Sequence, residues 1–211
     1  MGFFDAFPVP EPPKPPRRPS RPVWQDPGLN IVPGTLVVDG LLVRRPEFAV
    51  FANNFRVYPY GFEFEVSVLR QPRPPGESYD MRTGSPFGRY RGRGGREGGP
   101  ARDLRFGVQF ADGRGAAIGS VRPDPRDSRP EPPIIDTRGG HGANGRWQQT
   151  LWVWGLPEEG DVALVYSWEA EDVPEARLVL DGELLRAAAG RAGLLWEEPE
   201  DDEEEDGDAA R

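Results

Sequence analysis

From residue 62 onward apolar and polar residues alternate: Phe62, Phe64, Val66 and Val68 are separated by Glu63, Glu65 and Ser67. A period of two places the first set on one face of a strand and the second on the other, so the segment predicts a strand with one buried side. Residues 48 to 58 read as its partner, and Tyr58-Pro59-Tyr60-Gly61 as the turn between them. Residues 48 to 70 therefore predict a long hairpin at the centre of the fold.

The alternation returns in LRFGVQF, with Leu104, Phe106, Val108 and Phe110 inward and Arg105 and Gln109 outward. Ala111-Asp112-Gly113-Arg114 follows, and Asp-Gly tolerates the positive φ angles of a tight hairpin loop. A weaker strand is expected over 115 to 121. Further strands are predicted at 150 to 155 (TLWVWG), at 162 to 169 (VALVYSWE, with Val162, Leu164, Tyr166 and Trp168 inward) and at 176 to 181 (ARLVLD). The first strand, LVVDGLLVRR, begins near Thr35. Seven or eight short antiparallel strands divided by turn signals predict an all-β fold, an immunoglobulin-like or jelly-roll sandwich. Asp181 is a suitable N-cap for one C-terminal helix over 182 to 196, with Leu184, Leu185, Ala188, Ala192 and Leu195 near one stripe, although Gly190 and Gly193 weaken its second half.

If each strand reverses the last, the turns at 58 to 61, 111 to 114 and 156 to 160 share one pole. The longer connections, 71 to 103, 122 to 149 and 170 to 175, then lie at the other, where a binding surface is expected, because long loops in a compact domain are usually functional or disordered.

Composition adds the tails. Residues 1 to 33 carry Phe3, Phe4 and Phe7 ahead of PVPEPPKPPRRPSRP, too proline-rich for a helix or a central strand. The stretch reads as a disordered arm, a polyproline spacer that could carry an aromatic tip to a partner groove. The domain proper is expected over 34 to 196, and residues 197 to 211 as a disordered acidic tail. The formal charge of −9 comes from that tail: residues 197 to 208 hold ten of the 35 acids, and the remaining 25 balance the 25 bases that precede Trp196. The absence of cysteine excludes disulfides, thiolate metal sites and a cysteine nucleophile. No run of about 18 apolar residues and no signal-like start is present, so no membrane span is expected and the cytoplasm is the expected home.

The segments FFDAFPVPEPP, YPYGFEFEV, LRFGVQFADGR, LWVWGLP and VPEARLVLDGELLRAA resemble an uncharacterised family of high-GC actinobacteria. The resemblance covers most of the chain apart from the two long loops and the acidic tail. It implies a bacterial, cytoplasmic protein and brings no activity, cofactor or active-site residue.

The candidate chemistry is sparse. The single histidine, His141, sits in RGGHGANGR, which reads as an exposed glycine-rich loop without a nucleophile elbow or a phosphate-binding ending. Glu63 and Glu65 lie on one strand face about 7 Å apart, within the carboxylate separation of inverting glycosidases, but such acids more often form a solvated face. Trp152 and Trp154 share a face and are either core aromatics or, if exposed, a platform for sugars or bases. In FGRYRGRGGR, Arg89, Arg91, Arg93 and Arg96 interleave with Tyr90 and glycines, a pattern suited to phosphates and stacked bases. A compositionally biased loop explains it as well, because nucleic-acid binders are usually basic overall.

No metal or cofactor is expected. The sequence favours a non-enzymatic protein-binding or assembly module that uses the long-loop pole and the aromatic tip Phe3, Phe4 and Phe7. A nucleic-acid-associated protein whose Arg-Gly loop is gated by the acidic tail is the second reading, and a sugar-binding or sugar-active jelly roll the third.

Overall fold

The computed structural model describes residues 22–28, 30–72, 86–87, 103–120 and 130–196. Among them, the strands are β1 (Ile31–Val32), β2 (Gly34–Leu36), β3 (Leu41–Arg44), β4 (Phe48–Tyr58), β5 (Gly61–Arg70), β6 (Arg105–Phe110), β7 (Gly115–Ala117), β8 (Ile134–Ala143), β9 (Arg146–Trp154), β10 (Val162–Trp168), β11 (Val173–Leu180) and β12 (Gly193–Leu194). One helix, α1 (Gly182–Ala189), follows β11. The larger sheet runs β2-β4-β5-β9-β8, with β3 also on β4, and the smaller runs β11-β10-β6-β7. All pairings in both are antiparallel. The fold is an all-β sandwich, and β4–β5 stands at its centre as the alternation predicts.

The inner faces meet in one apolar core. Phe62, Phe64, Val66 and Val68 of β5 are fully buried, as are Leu164 and Val162 of β10. Phe64 meets Phe106 across the layers at 6.4 Å, and Phe48 meets Trp168 edge-on at 5.4 Å. The Tyr166 hydroxyl donates to the Leu42 carbonyl at 2.8 Å and so ties the small sheet to β3.

In β4 the inward set begins at Phe48, Val50 and Ala52 and continues at Phe55 and Val57, a change of parity within one strand. A bulge between Asn53 and Arg56 absorbs the extra residue. Asn54 sits there with φ +53°, a conformation that asparagine tolerates better than most residues.

The three short turns do share one pole. The Gly155 amide donates to the Tyr60 carbonyl at 2.8 Å, and a Cβ on Gly160 would lie 2.4 Å from that of Ala111. At the opposite pole the Arg70 amide donates to Gly145, and the Gln71 amide to Glu47. Arg70 also places its guanidinium 5.5 Å from both the Phe48 and Trp168 rings and pairs with Glu171.

Three expectations need correction. Residues 134 to 149, read as part of a long loop, form β8 and the first residues of β9. Asn144-Gly145 turns between them with both φ angles positive, the geometry of a two-residue hairpin. The stretch lacked alternation because glycines replace side chains on one edge: a Cβ on Gly142 would lie 2.2 Å from the Trp147 ring. The helix stops at Ala189, eight residues long, with Gly190 as its C-cap, and Gly193–Leu194 instead pairs with β1. Its start is as read, the Asp181 carboxylate accepting from the amides of Glu183 and Leu184. Finally, residues 22 to 28 and 30 to 33, placed by sequence in a disordered arm, are part of the folded body. Among the described residues no helix is long and apolar enough to cross a membrane.

Candidate functional site

Antiparallel register sets Arg56, Glu63, Trp152 and Asp136 side by side across β4, β5, β9 and β8 on the outer face of the large sheet. Glu63 is buried there at 7% exposure. Its Oε1 accepts from the Tyr58 hydroxyl at 2.8 Å and from Arg56 Nε at 2.7 Å. Burial pushes the Tyr58 phenol well above its ordinary range, and the hydrogen bond to Glu63 and that group's charge push it further. Tyr58 is thereby kept protonated as a donor. Glu65, one step along, accepts from Gln148 Nε2 at 2.5 Å. The pair is therefore not the solvated face that the alternation suggests: Glu63 is clamped and dry, and Glu65 is half-buried with a partner on β9.

Around Trp152 this face is covered by the root of the N-terminal arm. Trp152 is fully buried, with Nε1 donating to the Trp24 carbonyl at 3.1 Å and its ring edge-on to Tyr58 and Tyr60. The Tyr60 hydroxyl donates to the Pro27 carbonyl. On β8, Arg138 Nη1 reaches the Gln25 carbonyl at 2.8 Å and Asp26 Oδ2 at 2.9 Å. Amides of Gln25 and Asp26 both return to the Pro22 carbonyl, which makes residues 22 to 26 a compact turn over the β8 edge. Trp24 and Pro27 are buried. The tryptophan pair thus divides: Trp152 belongs to this second, smaller core, and Trp154 is half-buried. His141, expected in a loop, stands on β8 opposite Gln148 and is exposed.

A second feature lies between the sheets. β7 and β8 do not pair, and where they face each other the sandwich holds a cleft of about 250 Å³. Leu104, Phe106 and Leu151 form its apolar floor, Phe87 and Ile118 its walls, and Thr137 faces it from β8. The Leu104 amide donates to the Pro86 carbonyl at 2.7 Å, so the two chain segments bounding residues 88 to 102 are tied together at this cleft. Asp103, Arg105, Ser120 and Gln149 also line it, so the cleft joins an apolar floor to polar and charged groups.

The residues singled out by sequence as a binding site, Phe3, Phe4 and Phe7 of the arm and Arg89, Tyr90, Arg91, Arg93 and Arg96 of the Arg-Gly segment, lie outside the described residues. The structure shows instead where both segments attach: the arm at the β8 edge, the Arg-Gly segment at the cleft. The sequence places a binding surface among the long connections, which flank the cleft, but gives no pattern that marks the β8 edge. A lone tryptophan inside a proline-rich stretch, Trp24, was the available sign of the latter. Among the described residues no three His, Cys, Asp or Glu side chains are placed to share a metal ion.

In comparisons with known protein families, with curated proteins and with solved structures, the chain matches none.

Proposed function

We propose that this protein is a non-enzymatic binding or assembly module whose N-terminal arm is the docking element. One observation carries the reading: Trp152, Tyr60 and Arg138 hold the arm's root at a fixed place on the sandwich. Residues 1 to 21 are thus presented from a rigid platform, with Phe3, Phe4 and Phe7 furthest from it in sequence. An apolar tip on a polar spacer binds by ordering itself in a partner's groove.

Pull-down with the full chain and with a chain lacking residues 1 to 21 tests this. Removal is expected to abolish capture of the specific partner while leaving the thermal midpoint unchanged, because residues 22 to 28 remain in place. Equal capture by both chains would sink the reading.

The closed base at Pro86 and Leu104 favours a second reading, in which the Arg-Gly segment takes a single-stranded nucleic acid at the cleft. Its signature is salt-dependent retention on single-stranded DNA that is lost when Arg89, Arg91 and Arg93 are replaced by alanine. For a sugar site, Glu63 and Trp152 offer little surface, because both are buried.

A further inference from the structure

We infer that the two-stranded ribbon of β1 and β12 carries a docking surface centred on Leu194 and Trp196, and that it takes a protein partner presenting an apolar stripe bordered by lysine or arginine. The surface is separate from residues 1 to 21 and does not depend on their role. Leu194, Leu195 and Trp196 are three consecutive apolar residues, each more than half exposed. Leu194 stands opposite Ile31, and strand alternation puts Trp196, two residues on, on the same face. Val32, opposite Gly193, is about half exposed because glycine has no side chain to cover it. The segment is nonetheless held in place. The Leu195 amide donates to the Asn30 carbonyl at 2.7 Å, and buried Asn30 donates from Nδ2 to the Trp196 carbonyl at 3.1 Å. Upstream, the Arg191 and Ala192 amides donate to Ala188 and Ala189 and fix the turn that leads into β12. The backbone is thus pinned through Trp196 while the indole stays in water. An exposed aromatic on a pinned backbone has little ordering left to lose on binding, which is the property of an interface anchor.

Charge selects the occupant. Glu197 and Glu198 follow Trp196 directly, and residues 197 to 208 hold ten acids and no base. Whatever path the run takes, its first carboxylates are one and two residues from the tryptophan. Any surface that covers the indole therefore also meets dense negative charge at its border. Nucleic acids and anionic membranes carry the same sign and are repelled. A second copy in a two-fold contact would set this patch against itself, and with it a second run of ten acids. Lysine or arginine beside an apolar stripe turns the repulsion into attraction: the charges steer the encounter and fix its register, and the apolar contact holds it. A basic amphipathic helix has this composition, an apolar face flanked by cations.

The test titrates the full chain into a fluorescein-labelled amphipathic peptide of leucine and lysine at low salt, read by anisotropy. Saturable binding is expected. Trp196→Ser and Leu194→Ser should each weaken it by about tenfold or more and leave the urea midpoint unchanged, because both side chains are exposed. A chain ending at Trp196 should also bind more weakly, and the binding that remains should lose most of its salt dependence. Oligolysine of the same length offers charge without a stripe, so it should bind less tightly and be indifferent to Trp196→Ser. Equal affinity of the leucine–lysine peptide for the natural and Trp196→Ser chains would show that the acids alone hold it, and the inference falls. It falls equally if a leucine–glutamate peptide binds as tightly, if sedimentation equilibrium shows a dimer that Trp196→Ser dissolves, or if the chain is retained on phosphatidylcholine vesicles until Trp196 is replaced. Each of those outcomes gives the patch a different occupant. Every chain used keeps residues 1 to 21, so failure here leaves the docking role of the arm to its own test.

Discussion

On the inner side of β5, Phe62, Phe64, Val66 and Val68 are dry because a second sheet lies against them. On the outer side Glu63 and Ser67 are also buried, within a strip of polar side-chain bonds. The inner face is closed by area: large apolar side chains meet across two layers and bury without directional demands. The outer face is closed by satisfaction of individual groups, Glu63 by Tyr58 and Arg56, Trp152 by the Trp24 carbonyl, Glu65 by Gln148. The first kind of burial resists loss of any one partner only by repacking. The second depends on a small number of named bonds, and breaking one leaves a polar group stranded. Substitutions on the two faces should therefore differ in size and in kind.

The largest loss is expected on the inner face. Phe64 stacks on Phe55 at 5.2 Å and meets Phe106 in the other sheet, so Phe64→Ala opens a cavity that neither layer can fill. A cost of about 3–5 kcal/mol follows from such truncations, read as a fall in the urea midpoint with little change in slope. A loss under about 1 kcal/mol would mean that the sheets do not pack here as described.

On the outer face, Trp152→Phe keeps a ring in place but removes the donor to Trp24. The expected global cost is smaller, about 1–3 kcal/mol. The distinguishing effect is local: the arm's root should loosen, and chymotryptic cleavage after Trp24 should quicken under conditions where Phe64→Ala, once corrected for its lower global stability, leaves that site protected. Equal protection of Trp24 in the Trp152→Phe protein would show that the arm is held by Arg138 and Tyr60 alone.

The inner face was legible in the sequence because apolar alternation is a statement about area, and area is what the second sheet supplies. Strands β5, β6 and β10 follow their patterns residue for residue. The outer face was not legible, since a glutamate in alternation looks the same whether it faces water or a tyrosine from the neighbouring strand. Two local irregularities also leave no mark in the alternation. The bulge at Asn53–Asn54 changes the parity of β4 within an apolar run, where either parity reads as plausible. The hairpin at Asn144-Gly145 carries a turn signal of the same kind as Asp112-Gly113, yet its flanking glycines erase the alternation that would frame it. Of the candidate site, only the attachment points of the two segments are described, and the arm's depends on contacts between residues more than a hundred positions apart, such as Trp24 with Trp152 and Gln25 with Arg138.

The smallest effect at neutral pH is expected from Tyr58→Phe, and its pH dependence isolates the outer network. The substitution removes one of two donors to Glu63 and leaves Arg56, so a cost of about 1 kcal/mol is expected near pH 7. That difference shrinks in alkali. In the unfolded chain Tyr58 ionises near its ordinary value of 10.0, whereas in the folded chain burial, with Glu63 beside it, holds the proton to higher pH. Below pH 10 both states are protonated and the group contributes no pH dependence. Above it the unfolded chain releases a proton that the folded chain keeps, so stability falls as pH rises. Tyr166, buried in the inner core, is raised by its burial and adds to the same fall. Urea midpoints measured from pH 8 to 11 should therefore drop above pH 10 in the natural chain and drop less steeply in Tyr58→Phe, with the two curves converging. Parallel curves over that range would mean that Tyr58 ionises freely in the folded protein and that the outer face is not closed around Glu63.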